Sequence, residues 1–414
     1  SFIQDENGNW YYFDKRGYLV TGAHEIDGKH VYFLKNGIQL RDSIREDENG
    51  NQYYYDQTSA QVLNRYYTTD GQNWRYFDAK GVMARGLVKI GDGQQFFDEN
   101  GYQVKGKIVS AKDGKLRYFD KDSGNAVINR FAQGDNPSDW YYFGADGVAV
   151  TGLQKIGQQT LYFDQDGKQV KGKIVTLSDK SIRYFDANSG EMAVGKFAEG
   201  AKNEWYYFDK TGKAVTGLQK IGKQTLYFDQ DGKQVKGKVV TLADKSIRYF
   251  DADSGEMAVG KFAEGAKNEW YYFDQTGKAV TGLQKIDKQT LYFDQDGKQV
   301  KGKIVTLSDK SIRYFDANSG EMATNKFVEG SQNEWYYFDQ DGKAVTGLQQ
   351  VGQQTLYFTQ DGKQVKGKVV DVNGVSRYFD ANSGDMARSK WIQLEDGSWM
   401  YFDRDGRGQN FGRN

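Results

Sequence analysis

Glutamine and lysine recur two positions apart in this sequence as the motif Q-V-K, once in each of five successive segments. A glutamine side chain both donates and accepts hydrogen bonds, and a lysine ammonium group adds further donors, so the pair is suited to contact hydroxyl groups. Residues two apart on an extended strand point to the same face, so both side chains can reach one ligand. The pairs are Gln103/Lys105, Gln169/Lys171, Gln234/Lys236, Gln299/Lys301 and Gln364/Lys366, with a shifted form at Gln39/Arg41.

An aromatic cluster of the form WYYF, or a close variant of it, recurs with the same long period. Within each period lie three shorter units, each with its own aromatic pair, and nineteen such pairs run from Tyr12-Phe13 to Tyr401-Phe402. Self-similarity at a fixed period is typical of repeat architectures. Steps of 64 to 66 residues separate the tryptophans that open the clusters, which are Trp10, Trp74, Trp140, Trp205, Trp270, Trp335 and Trp399.

Composition excludes several classes of protein. The 414 residues include 15% aromatics and 50 Gly but only 1 Pro, and mean hydropathy is -0.80. Leu, Ile and Val are too sparse for one large compact core, and aromatics are too abundant for a disordered chain. The 56 basic and 56 acidic residues cancel, whereas nucleic acid binding needs unopposed positive charge. The chain lacks Cys, and no run of 18 apolar residues predicts a membrane span.

The repeating unit predicts an all-β fold. An extended run such as QTLYFD precedes the turn signal D-x-D-G, and KQVKGKIV follows as the second strand. Each unit is therefore predicted to be a β-hairpin of about 20 residues. An isolated hairpin cannot bury its apolar face, so we expect the hairpins to stack into a repeat β-solenoid with a 65-residue super-period.

The repeats run without a linker, so the sequence predicts one continuous domain over 1–414. Residues 1–130 are divergent repeats, 131–390 are regular 65-residue repeats, and 391–414 form a terminal partial repeat. Because the sequence opens close to the middle of a repeat, we expect the chain to be a fragment of a larger protein.

The unit from Thr216 to Asp274, with near-copies beginning at Thr151 and Thr281, resembles the cell-wall-binding or glucan-binding repeats of Gram-positive bacteria. The closest resemblance is to the C-terminal glucan-binding domain of streptococcal glucosyltransferases, the glucansucrases of glycoside hydrolase family 70. It implies a secreted, non-catalytic module that binds α-glucan such as dextran, in a protein whose catalytic domain lies elsewhere. Such a module would retain product glucan or tether the enzyme to a biofilm matrix.

The resemblance also implies site residues. In that family a Q-x-K pair beside a stacking tyrosine forms the sugar pocket, which assigns this role to the five Q-V-K pairs above. The tyrosine of the LYF motif is the first choice for the stacking ring, and the tyrosine of the next unit is the alternative. Phe96 and Tyr32 stand at the LYF place in the first two periods, so pockets there are expected to be damaged or empty. The first-choice tyrosines are Tyr162, Tyr227, Tyr292 and Tyr357, and the alternatives are Tyr184, Tyr249 and Tyr314.

Other interpretations stay open. Choline-binding repeats of the same family use a tryptophan after glycine as one wall of an aromatic cage. Here Gly152-Leu153, Gly172-Lys173 and Gly217-Leu218 stand at that place, and Lys390-Trp391 alone has the tryptophan. This departure favours a neutral sugar over choline. The aromatics could also serve stacking alone, in a structural or protein-interaction spacer, and the Q-V-K pairs could serve only to keep the array soluble.

No catalytic or metal-binding motif stands out. The two histidines, His24 and His30, are six residues apart in one divergent repeat, and no G-x-S-x-G motif occurs. Carboxylates such as Asp164 and Asp229 recur at one turn position in every unit, whereas a catalytic pair should be a local exception to the repeat. We therefore expect no enzymatic activity, cofactor or metal in this chain.

Overall fold

The computed structural model describes residues 1–409, and the chain forms two compact units, Ser1–Ala214 and Val215–Asn414. Each unit is a series of antiparallel β-hairpins, ten in the first and nine in the second within the described residues. Two three-residue 3-10 helices, Ala201–Asn203 and Ala266–Asn268, are the helices of the described part of the chain, and neither could cross a membrane. The all-β prediction is confirmed, whereas the prediction of one continuous domain stays a prediction.

In the first unit the strands are β1 Phe2–Gln4, β2 Trp10–Tyr12, β3 Gly22–Ile26, β4 Lys29–Phe33, β5 Ser43–Glu46, β6 Gln52–Tyr55, β7 Arg65–Tyr67, β8 Arg75–Phe77, β9 Gly86–Ile90, β10 Gly93–Phe97, β11 Lys107–Ser110, β12 Leu116–Phe119, β13 Arg130–Gln133, β14 Trp140–Phe143, β15 Gly152–Ile156, β16 Gln159–Phe163, β17 Lys173–Thr176, β18 Ile182–Phe185, β19 Lys196–Glu199 and β20 Trp205–Phe208. In the second unit they are β21 Gly217–Ile221, β22 Gln224–Phe228, β23 Lys238–Thr241, β24 Ile247–Phe250, β25 Lys261–Glu264, β26 Trp270–Phe273, β27 Gly282–Ile286, β28 Gln289–Phe293, β29 Lys303–Thr306, β30 Ile312–Phe315, β31 Lys326–Glu329, β32 Trp335–Phe338, β33 Gly347–Val351, β34 Gln354–Phe358, β35 Lys368–Val372, β36 Val375–Phe379, β37 Lys390–Gln393, β38 Trp399–Phe402 and β39 Gly408–Gln409. Each odd-numbered strand up to β37 pairs with the next strand, and β39 adds to β38 as a third strand.

The two strands that pair in each hairpin are not the two that the sequence analysis predicted. Its ladder joins GLQKI to QTLYF, from Gly152 opposite Phe163 to Ile156 opposite Gln159, around a turn at Gly157. Beyond the D-x-D-G turn, pairing continues only as the single bridge between Phe163 and Gln169. The prediction of KQVKGKIV as the second strand is wrong, because its last residues belong to β17 of the next hairpin.

The D-x-D-G turn itself forms as predicted. The Asp164 Oδ1 atom accepts hydrogen bonds from the amides of Asp166 at 3.0 Å and Lys168 at 2.9 Å. Gly167 has a φ of +79°, a conformation that suits glycine because it lacks a Cβ atom. The turn therefore reverses the chain directly after each aromatic pair.

One backbone hydrogen bond per turn joins successive hairpins. The residue after the turn donates its amide to the first or second residue of the preceding hairpin's second strand: Gln169 to Trp140 at 2.7 Å, Met192 to Thr160 at 2.8 Å and Ala214 to Ile182 at 2.9 Å. Its side chain then packs against the turn glycine of the next hairpin. Glutamine, methionine and alanine thus alternate along one edge of the stack, a relationship we call the edge ladder.

The core of each unit is a column of phenylalanines. From Phe33 onward the Phe of each aromatic pair is fully buried, as at Phe163, Phe185 and Phe208, while the aromatic residue before it is half-buried. The Tyr162 ring lies 5.4 Å from that of Phe185 in the next hairpin, and Tyr227 lies at the same distance from Phe250. Each hairpin therefore buries its aromatic face against a neighbour, and the predicted solenoid of stacked hairpins is confirmed within each unit.

Candidate functional site

The tryptophan that opens each WYYF cluster stands on the open face of its hairpin. Strand alternation buries Tyr271 and Phe273 and leaves Trp270 39% exposed. Trp74 and Trp140 have similar exposures, so the same flat ring is presented once per period. An aromatic ring that is half exposed in every repeat offers a wall against which an apolar ligand face can lie.

The edge ladder places the Q-V-K motif beside this tryptophan. The amide of Gln299 donates to the carbonyl of Trp270 at 2.7 Å, and Gln364 donates to Trp335 at the same distance. The Lys366 Nζ atom lies 5.6 Å from the centre of the Trp335 ring. We call these groupings the Trp–Gln–Lys notches: Trp74/Gln103/Lys105, Trp140/Gln169/Lys171, Trp270/Gln299/Lys301 and Trp335/Gln364/Lys366.

The first of these notches is a measurable cavity. Trp74, Gln103 and Lys105 line an open space of about 440 Å³ together with Tyr102 and Lys107. A space of this size admits a ligand as large as a small sugar. The Gln103 Nε2 atom donates to Gln95 Oε1 at 2.6 Å, and the Lys105 Nζ atom donates to the backbone carbonyl of Asp122 at 2.9 Å.

Gln and Lys are held in place by the turn of the next hairpin. Gln299 Nε2 donates to the carbonyl of Ser319 at 3.3 Å, and Lys301 Nζ donates to that of Asn318 at 3.1 Å. The two side chains therefore point in one direction, as the sequence predicts. Among residues 1–409, no group donates to Gln299 Oε1, so this acceptor can receive a ligand hydroxyl. Gln234 and Lys236 bind Ser254 and Asp253 in the same manner.

In regular repeats an ion pair fixes the tryptophan strand against the Gln segment. Glu269, next to Trp270, binds Lys298, next to Gln299, at 2.7 Å, and Glu334 and Lys363 repeat this pair at 2.5 Å. The hydrogen bond from Lys298 lowers the pKa of Glu269, and the same bond raises the pKa of Lys298. The backbone hydrogen bond and the ion pair thus together hold the tryptophan beside the Gln and Lys residues.

The predicted tyrosines lie elsewhere. The Phe163–Gln169 bridge puts Gln169 on the Phe163 face of its hairpin, and Tyr162 therefore points to the opposite face. Tyr184, Tyr249 and Tyr314 pack 6.2–6.3 Å from Phe208, Phe273 and Phe338 of the following hairpins. Among residues 1–409, no hydrogen bond or cation–π contact joins either set to a Q-V-K side chain, and their role in binding stays a prediction.

Comparison with known sequences then decides the family. Choline-binding repeat sequences match residues 20–63, 84–131, 150–197, 215–262, 280–327 and 345–391. This chain belongs to the choline-binding repeat family. Sequences described as a putative cell wall binding repeat match the intervening segments 1–19, 129–149, 201–214, 266–279 and 325–344.

These choline-binding repeats are also similar to parts of larger proteins. Glucosyltransferase-S of Streptococcus mutans is 50% identical over 79% of this chain, and Glucosyltransferase-I of the same species is 47% identical over 92%. The chain spans 22% and 26% of their lengths, about a quarter of each relative. A solved structure of the autolysin LytC from Streptococcus pneumoniae aligns with 57% of this chain and 52% of its own, at 17% identity and a TM-score of 0.43. The resemblance to glucosyltransferase repeats is confirmed.

The register of the paired strands corrects which residue corresponds to the tryptophan of choline-binding repeats in one hairpin. Lys173 pairs with Phe185 as Gly152 pairs with Phe163, so Ile174 and not Lys173 is the counterpart of Leu153. In the third hairpin of the period the counterpart is Phe197, opposite Tyr207. An aromatic residue therefore does occupy the tryptophan place of the repeat, once in each period.

In the first repeat the polar pair is Gln39 and Arg41, and the Gln39 side chain already has hydrogen-bond partners within the protein. Gln39 is only 4% exposed, with Nε2 donating to Ser59 Oγ at 2.9 Å and Oε1 accepting from Arg41 at 3.1 Å. The Arg41 guanidinium lies 4.9 Å from the centre of the Trp10 ring. Arg41 thus occupies the Gln39 oxygen, whereas the described residues donate no hydrogen bond to the corresponding oxygen of Gln299.

A buried arginine was missed by the sequence analysis. Arg183 is 7% exposed, and its guanidinium donates to the carbonyl of Thr211 at 2.5 Å and to Ser181 Oγ at 3.2 Å. Arg248 and Arg313 occupy the same place. Each caps a turn of the next hairpin, as Lys171 does one hairpin earlier. The signal was available, since R-Y-F recurs in every regular period.

Proposed function

We propose that this chain is a non-catalytic, multivalent module that binds α-glucan of the dextran type. The observation that carries the proposal is the recurrence of a half-exposed tryptophan joined by a backbone hydrogen bond to a Gln whose side-chain oxygen accepts no hydrogen bond from residues 1–409. A glucose ring offers an apolar C–H face and a set of hydroxyls. The ring can lie on Trp270, while Gln299 and Lys301 meet the hydroxyls.

Binding strength comes from repetition. Each notch is shallow and its polar groups are few, so a single contact is weak and exchanges fast. A polymer of identical units can occupy several notches of one chain, and linked contacts raise apparent affinity by roughly 10²–10⁴ when the geometry allows them to form together. A long glucan should therefore bind far more tightly than a short oligosaccharide.

The relatives support α-glucan as the polymer, because two of them are named glucosyltransferases and share about half of their residues with this chain over the aligned region. In a parent enzyme of that kind, the module would hold product glucan near the catalytic domain. This role places it outside the cell or on the cell surface, in keeping with the cell wall binding repeats that it contains.

Affinity electrophoresis of the full chain through gels containing dextran tests the proposal. The variant Gln169→Ala/Gln299→Ala/Gln364→Ala removes three acceptors of the notches, and we expect its apparent affinity to fall by at least about tenfold. Gln154→Ala/Gln284→Ala/Gln349→Ala is the matched control, because these glutamines also bind backbone carbonyls but lie on the first strand of their hairpins. Equal retardation of the two variants, or none of the wild-type chain, would contradict the proposal.

Choline-dependent attachment to a cell wall is the second candidate, and one notch favours it. Tyr249, Phe262 and Trp270 line an open space of about 400 Å³ with the acidic residues Asp251 and Glu264 and with Lys261. Aromatic rings and carboxylates together suit a trimethylammonium group. Elution of the full chain from a choline-bearing resin by free choline, without binding to dextran, would favour this function over the first.

A further inference from the structure

Five of the 6 methionines of this chain occupy one kind of position in the edge ladder. Each donates its amide to the preceding hairpin, as Met192 does to the carbonyl of Thr160 at 2.8 Å. The sixth, Met400, lies on β38 outside the ladder. An uncommon residue type is thus concentrated at the contacts between successive hairpins. The ladder methionines are Met83, Met192, Met257, Met322 and Met386.

The thioether of Met192 is held between its own hairpin and the next one. Its sulfur lies 3.1 Å from the Nη1 atom of Arg183, and the same nitrogen donates to the carbonyl of Thr211 at 2.5 Å. The sulfur and its methyl group also pack against Gly212, where a Cβ atom would approach the methyl carbon to 2.6 Å. Sulfur, guanidinium group and turn backbone therefore form a single contact between two hairpins.

The same contact recurs at four positions of the chain. The distance from arginine Nη1 to methionine sulfur is 3.1 to 3.3 Å in all four, and Nη1 also donates to a carbonyl of the next turn in each. We call these groupings the Met–Arg clasps: Met192/Arg183/Gly212, Met257/Arg248/Gly277, Met322/Arg313/Gly342 and Met386/Arg377/Gly406.

Three of the clasps can be reached from solvent. Met192, Met257 and Met322 are half-buried, whereas Met83 and Met386 are only 5% and 6% exposed. Because the chain contains no cysteine, the thioethers are its main targets for two-electron oxidants. A small oxidant should therefore react first at the three half-buried ladder methionines.

We propose that Met192, Met257 and Met322 are reversible oxidation sites, at which a hydroperoxide such as hydrogen peroxide converts the thioether to the sulfoxide and loosens the contact between hairpins. The sulfur attacks one peroxide oxygen, so that an S–O bond forms as the O–O bond breaks. Sulfur is oxidised by two electrons and the peroxide is reduced. The second oxygen takes up the proton of the transferred oxygen and leaves as water.

The clasp cannot accommodate the added oxygen without moving. The 3.1 Å between the Met192 sulfur and Arg183 Nη1 leaves no room for an oxygen atom on that side, so the guanidinium group must shift away from the carbonyl of Thr211. Because Arg183 is only 7% exposed, water cannot fully replace the hydrogen bond that it loses. Oxidation also makes an apolar side chain polar where it packs against Gly212.

The other steps of the ladder provide an internal contrast. Gln169 and Ala214 occupy the ladder positions before and after Met192, and neither side chain has a group that a hydroperoxide oxidises. Oxidation should therefore loosen every third step of a regular period and leave the steps between unchanged.

Treatment of the full chain with hydrogen peroxide, followed by peptide mass mapping and thermal unfolding, tests the proposal. The map should show oxygen added at the three half-buried ladder methionines before Met83 and Met386. We expect the melting temperature of the treated wild type to fall by at least about 3 °C.

Two variants assign this fall to the clasps. Met192→Leu/Met257→Leu/Met322→Leu should keep after treatment the melting temperature that it has before, because leucine has nearly the volume of methionine and no sulfur. Met400→Leu is the matched control. It removes a half-buried methionine outside the ladder and should show the same fall as the wild type.

Each outcome decides one part of the proposal, and none depends on glucan binding. Recovery of the melting temperature after treatment with methionine sulfoxide reductases for both epimers supports reversible sites. An equal fall in the leucine variant and the wild type overturns the proposal, because groups outside the clasps would then be responsible. Oxidation of the three methionines with an unchanged melting temperature overturns the loosening of the hairpin contact. Reduction of the sulfoxides without recovery overturns its reversibility.

Discussion

The amide nitrogen of Gln299 donates a hydrogen bond to the carbonyl oxygen of Trp270, 2.7 Å away. The bond joins two residues of successive hairpins through their backbones, and Gln169 and Trp140 repeat it in the first unit. Because the backbone sets the distance between the aromatic wall and the polar side chain, either side chain can be truncated without moving the other. The notch can therefore be dissected by substitution while the fold is kept.

Truncation of the tryptophan walls should abolish binding at little cost in stability. For Trp140→Ala/Trp270→Ala/Trp335→Ala we expect a loss of dextran retention of at least about tenfold, while each substitution changes the free energy of unfolding by about 1 kcal/mol, since the rings are half exposed. Affinity electrophoresis and urea unfolding measure the two quantities. Trp399→Ala is the control, because Trp399 is exposed but no Q-V-K pair follows it; an equal loss of retention there would refute the pairing of Trp with Q-V-K.

Truncation of a phenylalanine in the buried column should lower the stability of the fold strongly. Phe293 is fully buried, and Phe293→Ala should cost about 3–5 kcal/mol of unfolding free energy through lost burial and a residual cavity. Leu283→Ala in the same hairpin should cost far less, because that side chain is 39% exposed. Urea unfolding monitored by circular dichroism compares the two, and similar costs would mean that the phenylalanine column is not the main source of stability.

The edge ladder can be tested at its glycines. Gly190 and Gly157 both have positive φ, so alanine at either position should cost about 1 kcal/mol in backbone strain. A Cβ atom at Gly190 would also displace the end of the Gln169 side chain and its hydrogen bond to Ser189, whereas one at Gly157 would meet open space, so Gly190→Ala should cost about 1 kcal/mol more. Adding Gln169→Ala should recover that excess. A double-mutant cycle with no coupling between positions 169 and 190 would contradict the ladder.

Much of this fold could be predicted from the sequence because repetition makes the pattern redundant. The aromatic pairs and the D-x-D-G turns predict stacked hairpins, and both are present. The choice of strand partners was wrong, because two glycine-containing turns flank QTLYF and only tertiary packing decides which one carries the ladder. Gln169 leaves the hairpin ladder after a single bridge because its amide bonds Trp140 of the preceding hairpin.

The site was less predictable for the same reason. The Q-V-K pairs stay a predicted site, and the expected common direction of their side chains is present, as at Gln299 and Lys301. The resemblance assigns Tyr292, or Tyr314 as the alternative, as the ring beside them, and this assignment stays a prediction; the contact that the structure shows is the backbone hydrogen bond from Gln299 to Trp270. No local pattern reveals this contact, because it depends on a hydrogen bond between residues 29 positions apart in different hairpins.

Acid should weaken the fold in a defined pH range. Hydrogen bonds from the backbone and side chain of Ser254 lower the pKa of Asp251 below its ordinary value of 3.8, and Asp186 and Asp316 are lowered in the same way by Ser189 and Ser319. Between the lowered and the ordinary pKa, the unfolded chain binds more protons than the folded chain, so stability falls as pH decreases through this interval. We expect equal urea midpoints at pH 7 and pH 5 and a lower one at pH 3; a fall between pH 7 and pH 5 would show that groups other than these carboxylates control stability.

Crystals of the full chain soaked with isomaltotetraose test the central claim most directly. The account predicts a glucose ring stacked on Trp270, with hydroxyls within hydrogen-bond distance of Gln299 Oε1 and Lys301 Nζ, and the same arrangement at Trp335 with Gln364 and Lys366. Sugar bound elsewhere while these notches hold only solvent would contradict it.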